Sequence, residues 1–396
     1  MRSFVAATLL VTATVIAGAV AGEIALRIIG FSHPAFHAPD ALAGIRLRPG
    51  AQGWYRDEGA AFVRINSDGW RDEERTKAKP AGTVRIAVLG DSFTEAIQVP
   101  REATFTTRLE GLLNACRAYG ERDVEVLNFG VSSYGTAQQL LTLRHRASEY
   151  SPDVVLLAFL PSNDVRNNSS RLEGWKARPF FELSGGRLAL DASFRDDPEF
   201  ARKTQALGNQ SFVLDLRLHQ LIRRVREGTY NGWNDAPAAM ALVDGGAALG
   251  EAGLAEQVFA PPRDAKWKEA WSITDRLLLE MHTEAQGLGA RFVVAVLTSG
   301  AAVYPEPALR RRYAQALGVP DFHYPERRIA ALGQASGFDV IKLGEPMQRV
   351  ADTTGAFLHG FSNTRLGFGH WNADGHRVAA ELLAAQFCAI DPKAGG

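Results

Sequence analysis

From Ser3 to Gly22 the chain runs 20 residues without a charge, dense in Val, Ala, Leu and Thr. That length matches the hydrocarbon thickness of a bilayer and predicts a membrane-crossing helix, continuing through Glu23-Ile24-Ala25-Leu26-Arg27-Ile28-Ile29. Ala19-Val20-Ala21 also fits a signal-peptide cleavage site, which would make the body secreted. The uncut helix is the preferred reading, because the span is long for a signal sequence. Arg2 beside the terminal amine keeps the N-terminus in the cytoplasm, although Arg27 beyond the span weakens that bias. The body is then expected outside the cytoplasm, in the cell envelope. Residues 1–29 are thus assigned to an anchor or signal segment.

Farther along, the apolar positions gather into short continuous runs at 84–90, 124–128, 154–159 and 291–297, with a weaker one at 338–341. Runs of this kind suit strands buried on both faces. Helical stretches at about 102–116, 136–149, 266–286 and 373–389 alternate with them, which predicts an α/β fold with a parallel, helix-covered sheet over residues 81–392. Asn372 suits the cap of the last helix, with Asp374 in its first turn. Residues 30–80 read as an extended lead-in packed on this body, with a strand at 61–65 before a turn at 66–69. The alternation breaks at about 167–265, read as a long insertion beside the active face. It holds a hairpin (180–183 with 187–190), a helix near 212–226 and a Gly/Ala-rich run at 243–253.

Composition narrows the function. Of 396 residues 46% are hydrophobic, enough for a large core. Lys plus Arg and Asp plus Glu number 44 each, so the chain lacks the basic excess that nucleic-acid binding requires. The run Arg310-Arg311-Arg312 reads as a solvated helix face. Cys116 and Cys388 lie too far apart in sequence for a CxxC motif or a cysteine zinc site. No HExxH or Gly-rich phosphate loop occurs, so neither a metal nor a cofactor is expected. Nothing in the chain sets its oligomeric state.

Polar clusters follow the strand ends, where parallel sheets collect their catalytic groups. They are Gly90-Asp91-Ser92-Phe93-Thr94, Asn128-Phe129-Gly130, Pro161-Ser162-Asn163-Asp164 and, before the final helix, Gly369-His370-Trp371-Asn372. A hydroxyl, a backbone N–H at glycine, a carboxamide and an imidazole supply what acyl transfer needs: nucleophile, base and oxyanion donors. Each also has a plain structural use. Ser92 could cap a helix, Gly130 could serve a turn, Asn163 could bond its own loop, and His359 and His376 compete with His370 as base.

Over residues 84–165 and 288–388 the order of these clusters resembles the SGNH branch of the GDSL hydrolases, a superfamily of esterases and acyltransferases, in the form of its membrane-tethered bacterial members. The resemblance implies a flavodoxin-like three-layer fold. It implies Ser92 as nucleophile, His370 as base, and an oxyanion hole from the Ser92 N–H, the Gly130 N–H and the Asn163 amide. The acid of that family stands two or three residues before the histidine. Here those positions are Phe368 and Gly367, and no Asp or Glu lies between Asp352 and His370. Asp91 and Asp164 are expected to brace their turns, and Asp374 belongs to its helix. The third member is therefore unassigned. In such a sheet the helices ending near Cys116 and Cys388 cover one face, which allows a disulfide with Cα atoms within about 7 Å. The expected activity is hydrolysis of an acyl ester or acetylated glycan of the envelope. Acyl transfer to an envelope polysaccharide, or non-catalytic glycan binding, are the alternatives. In the insertion Trp175, Phe180, Phe181, Tyr230 and Trp233 could stack on a sugar, though core packing is the expected use.

Overall fold

The computed structural model describes residues 2–234, 242–243, 246–247 and 254–389. Its first element, α1 (Arg2–Ile28), is exposed over most of its length, with Gly22, Glu23 and Leu26 half-buried near its end, and Ser3–Ile28 is long and apolar enough to cross a membrane. The lead-in forms two antiparallel hairpins, β1 (His37–Asp40) with β2 (Gly44–Leu47) and β3 (Gln52–Tyr55) with β4 (Ala61–Arg64). It is fastened to the body by Trp70, edge-on to Phe129 at 4.8 Å. The buried Arg71 guanidinium beside it donates to the carbonyls of Glu95, Ala96 and Val99.

The body is built on β5 (Thr83–Gly90), β6 (Asp123–Gly130), β7 (Val154–Phe159), β12 (Arg291–Val296) and β13 (Asp339–Lys342). All pair in parallel, in the order β13-β12-β7-β5-β6, which is the flavodoxin-like order. The central strands are buried nearly throughout, which is why they read as unbroken apolar runs. α2 (Ser92–Glu95) follows β5 directly. α3 (Phe105–Ala115) packs on α12 (Ala373–Cys388), while α4 (Thr136–His145) and α5 (Pro161–Asn167) pack on α8 (Ala265–Gly287). A disulfide joins Cys116 at the end of α3 to Cys388, with Cα atoms 6.2 Å apart. The Asn372 side chain caps α12 by accepting from the N–H groups of Asp374 and Gly375.

The insertion holds the expected hairpin, β8 (Phe180–Ser184) with β9 (Arg187–Asp191). Instead of one helix near 212–226 there are two, α6 (Pro198–Asp215) and α7 (Arg217–Asn234). The Asp197 side chain caps α6 and Pro198 opens it, a start signal that apolar periodicity alone misses; Leu216, in extended backbone, separates the helices. The Gly/Ala-rich run at 243–253 lies mostly outside the described residues, which retain there only the short pair β10 (Leu242–Val243) and β11 (Gly246–Ala247). Two further helices, α9 (Pro307–Leu317) and α10 (Tyr324–Ser336), precede β13, and α11 (Gly344–Thr354) follows it. In α9 the arginine run is not wholly solvated. Arg310 is buried, donates to the Tyr304 carbonyl and pairs with Asp352 at 2.7 Å, whereas Arg311 and Arg312 are exposed.

Candidate active site

The sheet register sets the nucleophile turn. Gly90 at the end of β5 lies opposite Gly130 at the end of β6, and the chain turns at once into α2. A Cβ on Gly90 would lie 2.0 Å from Thr94 Oγ1, and one on Gly130 would lie 2.5 Å from the Glu95 nitrogen. Both glycines therefore let the turn sit tight against the sheet. Asp91 caps α2 by accepting from the Phe93 N–H at 3.0 Å, leaving Ser92 as the first helical residue. Its Oγ lies 2.7 Å from His370 Nε2, and the His370 ring rests against Phe93 with centroids 5.0 Å apart.

The partner of the other imidazole nitrogen is Glu58, from the turn between β3 and β4. Its carboxylate is 2.5 Å from His370 Nδ1 and accepts the His370 backbone N–H at 2.8 Å. Burial alone would raise the Glu58 carboxyl, but the hydrogen bonds and charge of His370 outweigh it and hold it below the ordinary carboxylate value. Glu58 thus places a carboxylate beside the imidazole, where Gly367 and Phe368 offer none. Gly369 makes room for it: φ is +81° there, and a Cβ would lie 2.1 Å from Glu58 Oε1. Asn363 pins the same turn, accepting from the Gly59 N–H and donating to the carbonyls of Arg56 and Gly59. Nothing local in the sequence marks Glu58. The detectable hints are the glycines at 59 and 369, both in positive-φ backbone.

The expected oxyanion donors are placed differently from one another. Asn163, on α5, lines the cavity above Ser92, with its amide donating to Asp91 at 3.0 Å. Gly130 does not line it, and its N–H is taken by the Asn128 side chain at 2.9 Å. The loop beyond reaches the cavity instead. Ser132 and Ser133 line it, and Ser133 stands in left-handed backbone with φ of +69°, a conformation uncommon for serine. Among the described residues the Ser133 N–H meets no acceptor. Its neighbour Ser132 donates to the buried Glu95 carboxylate, which also pairs with His37 at 3.0 Å.

The competing histidines are structural. His359 is buried, donates from Nδ1 to the Gly369 carbonyl at 2.8 Å, and is pushed down to about 4 by burial. His376 is buried and accepts the Phe105 N–H at 3.3 Å. Asp91 and Asp164 brace their turns. Burial and the charge of Asp91 push the Asp164 carboxyl well up, and it accepts the Leu160 N–H at 2.7 Å. Phe180 and Phe181 are core residues, Trp175 lines the cavity, and the side chains of Tyr230 and Trp233 lie outside the described residues. Among the described residues no three His, Cys, Asp or Glu side chains cluster so as to hold a metal ion.

No protein-family model matches the chain, and no curated protein matches it. Solved structures similar to it include LAE5, an alpha/beta hydrolase enzyme from the metagenome of Lake Arreo, Spain (13% identity, 80% of this chain and 100% of that one, TM-score 0.39). Axe2, an acetylxylan esterase from Geobacillus stearothermophilus, is 12% identical over 80% of this chain and 98% of its own, with TM-score 0.38. A GDSL-like lipase from Bacteroides thetaiotaomicron is 11% identical over 79% and 91%, with TM-score 0.33. At such distance these likenesses carry no weight for function, and the chemistry rests on the site's own geometry.

Proposed function

We propose that the chain is a serine ester hydrolase, tethered by α1 with its body outside the cytoplasm. The observation that carries this reading is the continuous relay Ser92 Oγ–His370 Nε2 and His370 Nδ1–Glu58, at 2.7 and 2.5 Å. Ser92 attacks the acyl carbonyl while His370 takes its proton, and Glu58 holds the imidazole and steadies the imidazolium. The negative oxygen is met by the Ser92 N–H, the Asn163 amide and the Ser133 N–H, which replaces that of Gly130. His370 returns the proton to the leaving alcohol, and water then cleaves the acyl-enzyme with His370 as base. The exported location agrees with the Cys116–Cys388 disulfide, since such bonds persist in oxidising compartments. The Glu58 carboxylate at His370 Nδ1 supports the catalytic reading over the non-catalytic one.

The test is intact mass of the full chain in detergent after exposure to a fluorophosphonate. One adduct on the wild type, lost in Ser92→Ala and His370→Ala, is expected. A folded wild type that takes up no adduct overturns the proposal.

A further inference from the structure

A cavity of about 710 Å³ opens from Ser92 and His370 toward α5 and the segment 173–178. On that side it is lined by Arg166, Arg178 and Arg223. Arg223 donates to the His33 carbonyl. The other two are poorly matched. The Arg178 side chain is 1% exposed, yet its Nε and Nη2 have no acceptor among the described residues, and neither has Arg166 Nε. One carboxylate stands between them: Glu173 is 3.7 Å from Arg166 and 3.8 Å from Arg178, beyond hydrogen-bond reach. Its Oε1 already accepts the Trp175 N–H at 2.8 Å. Of the other carboxylates nearby, Asp57 pairs with Arg224 at 2.6 Å, Glu58 is engaged with His370, and Asp164, whose charge also acts on Arg178, accepts the Leu160 N–H at 2.7 Å.

Among the described residues neither guanidinium group thus makes a hydrogen bond to a carboxylate. Burial lowers Arg178 to about 10, which still leaves it charged at neutral pH. Buried donors without acceptors cost folding free energy and persist where a ligand completes them. The planar fork of arginine suits carboxylate and phosphate oxygens above other acceptors. Arg166 also follows Asn163 by three residues on α5, which makes them neighbours on one helix face about 5–6 Å apart at Cβ.

We infer that the cavity binds an ester carrying a carboxylate or phosphate group, held by Arg166 and Arg178 about one helical turn from the scissile carbonyl. The inference rests on the ester-hydrolase reading for the position of that carbonyl, but not for the anion site. The test measures binding to the full-length Ser92→Ala variant, which turns nothing over. The ligands are an O-acetylated glucoside, the matching glucuronoside and the matching glucoside 6-phosphate.

At least one charged ligand is expected to bind tenfold or more tightly than the neutral one at low salt, and which one identifies the anion. That preference should fall to near unity when Arg166→Gln is added, and to an intermediate value with Arg178→Lys, which keeps charge but loses the fork. Equal binding of all three ligands, or a preference that survives Arg166→Gln, overturns the inference. Hydrolysis of p-nitrophenyl acetate by the wild type reports on the ester-hydrolase reading separately. A charged-ligand preference without that turnover would leave the anion site standing and remove the hydrolase.

Discussion

Replacing Glu58 by Gln removes one charge and keeps the shape of the side chain. In the proposed mechanism the proton leaving Ser92 makes an imidazolium, and His370 Nδ1 is 2.5 Å from the carboxylate. For charges about 3 Å apart, 332/(εr) gives roughly 5.5 kcal/mol at an effective dielectric of about 20 and roughly 1.4 in water. The difference, about 4 kcal/mol, corresponds to about a thousandfold in rate. Gln also presents an N–H that disfavours the required tautomer. In the Ser-His-Asp triad of serine proteases the corresponding Asp-to-Asn change costs about 10⁴. The expected loss in kcat for p-nitrophenyl acetate is therefore about 10³ to 10⁴, with KM changed less than threefold and circular dichroism unchanged. Glu58→Asp, whose carboxylate is drawn back by one methylene, should fall between the two. A folded Glu58→Gln enzyme within tenfold of wild type would refute the role assigned to this residue.

Gly369→Ala should reproduce much of the Glu58 defect, because its Cβ would meet Glu58 Oε1 at 2.1 Å in backbone of φ +81°; kcat with circular dichroism checks this. Asn163→Ala is expected to lower kcat by about 10²–10³ through loss of an oxyanion donor, with fluorophosphonate labelling slowed in parallel. His359 is buried neutral, so protonation favours the unfolded chain. Its contribution is complete above about 6.5, falls by about 2 kcal/mol at pH 5, and is lost as pH passes about 4; urea titrations at pH 7 and 5 on wild type and His359→Gln test the slope. Reduction of the disulfide, or Cys116→Ser with Cys388→Ser, opens a closure of 272 residues and should cost about 2–4 kcal/mol, read as a Tm lower by several degrees.

Much of this architecture was legible along the chain because burial imposes pattern. Strands covered on both faces must be apolar runs, and all five sheet strands lie within a residue or two of such runs. Ser92 and His370 were legible because each sits at the junction of a strand or loop with a helix, where the cap residues are themselves distinctive. Glu58 was not, because its pairing is a tertiary contact across 312 positions and its surroundings look like any polar turn. Gly130 drew attention as a glycine, but its small size serves packing under α2, while the backbone facing the cavity belongs to Ser133. A serine in left-handed backbone has no signature in composition or spacing.

The relay has an order of construction as well as a geometry. Ser92 follows Glu58 closely along the chain, whereas His370 stands 278 positions beyond Ser92, just ahead of α12. Until the stretch that carries His370 emerges, no imidazole stands between the Ser92 hydroxyl and the Glu58 carboxylate, and α12 is also missing from the fold. On the proposed reading, a nascent chain that has not yet reached His370 is therefore inert by virtue of its topology.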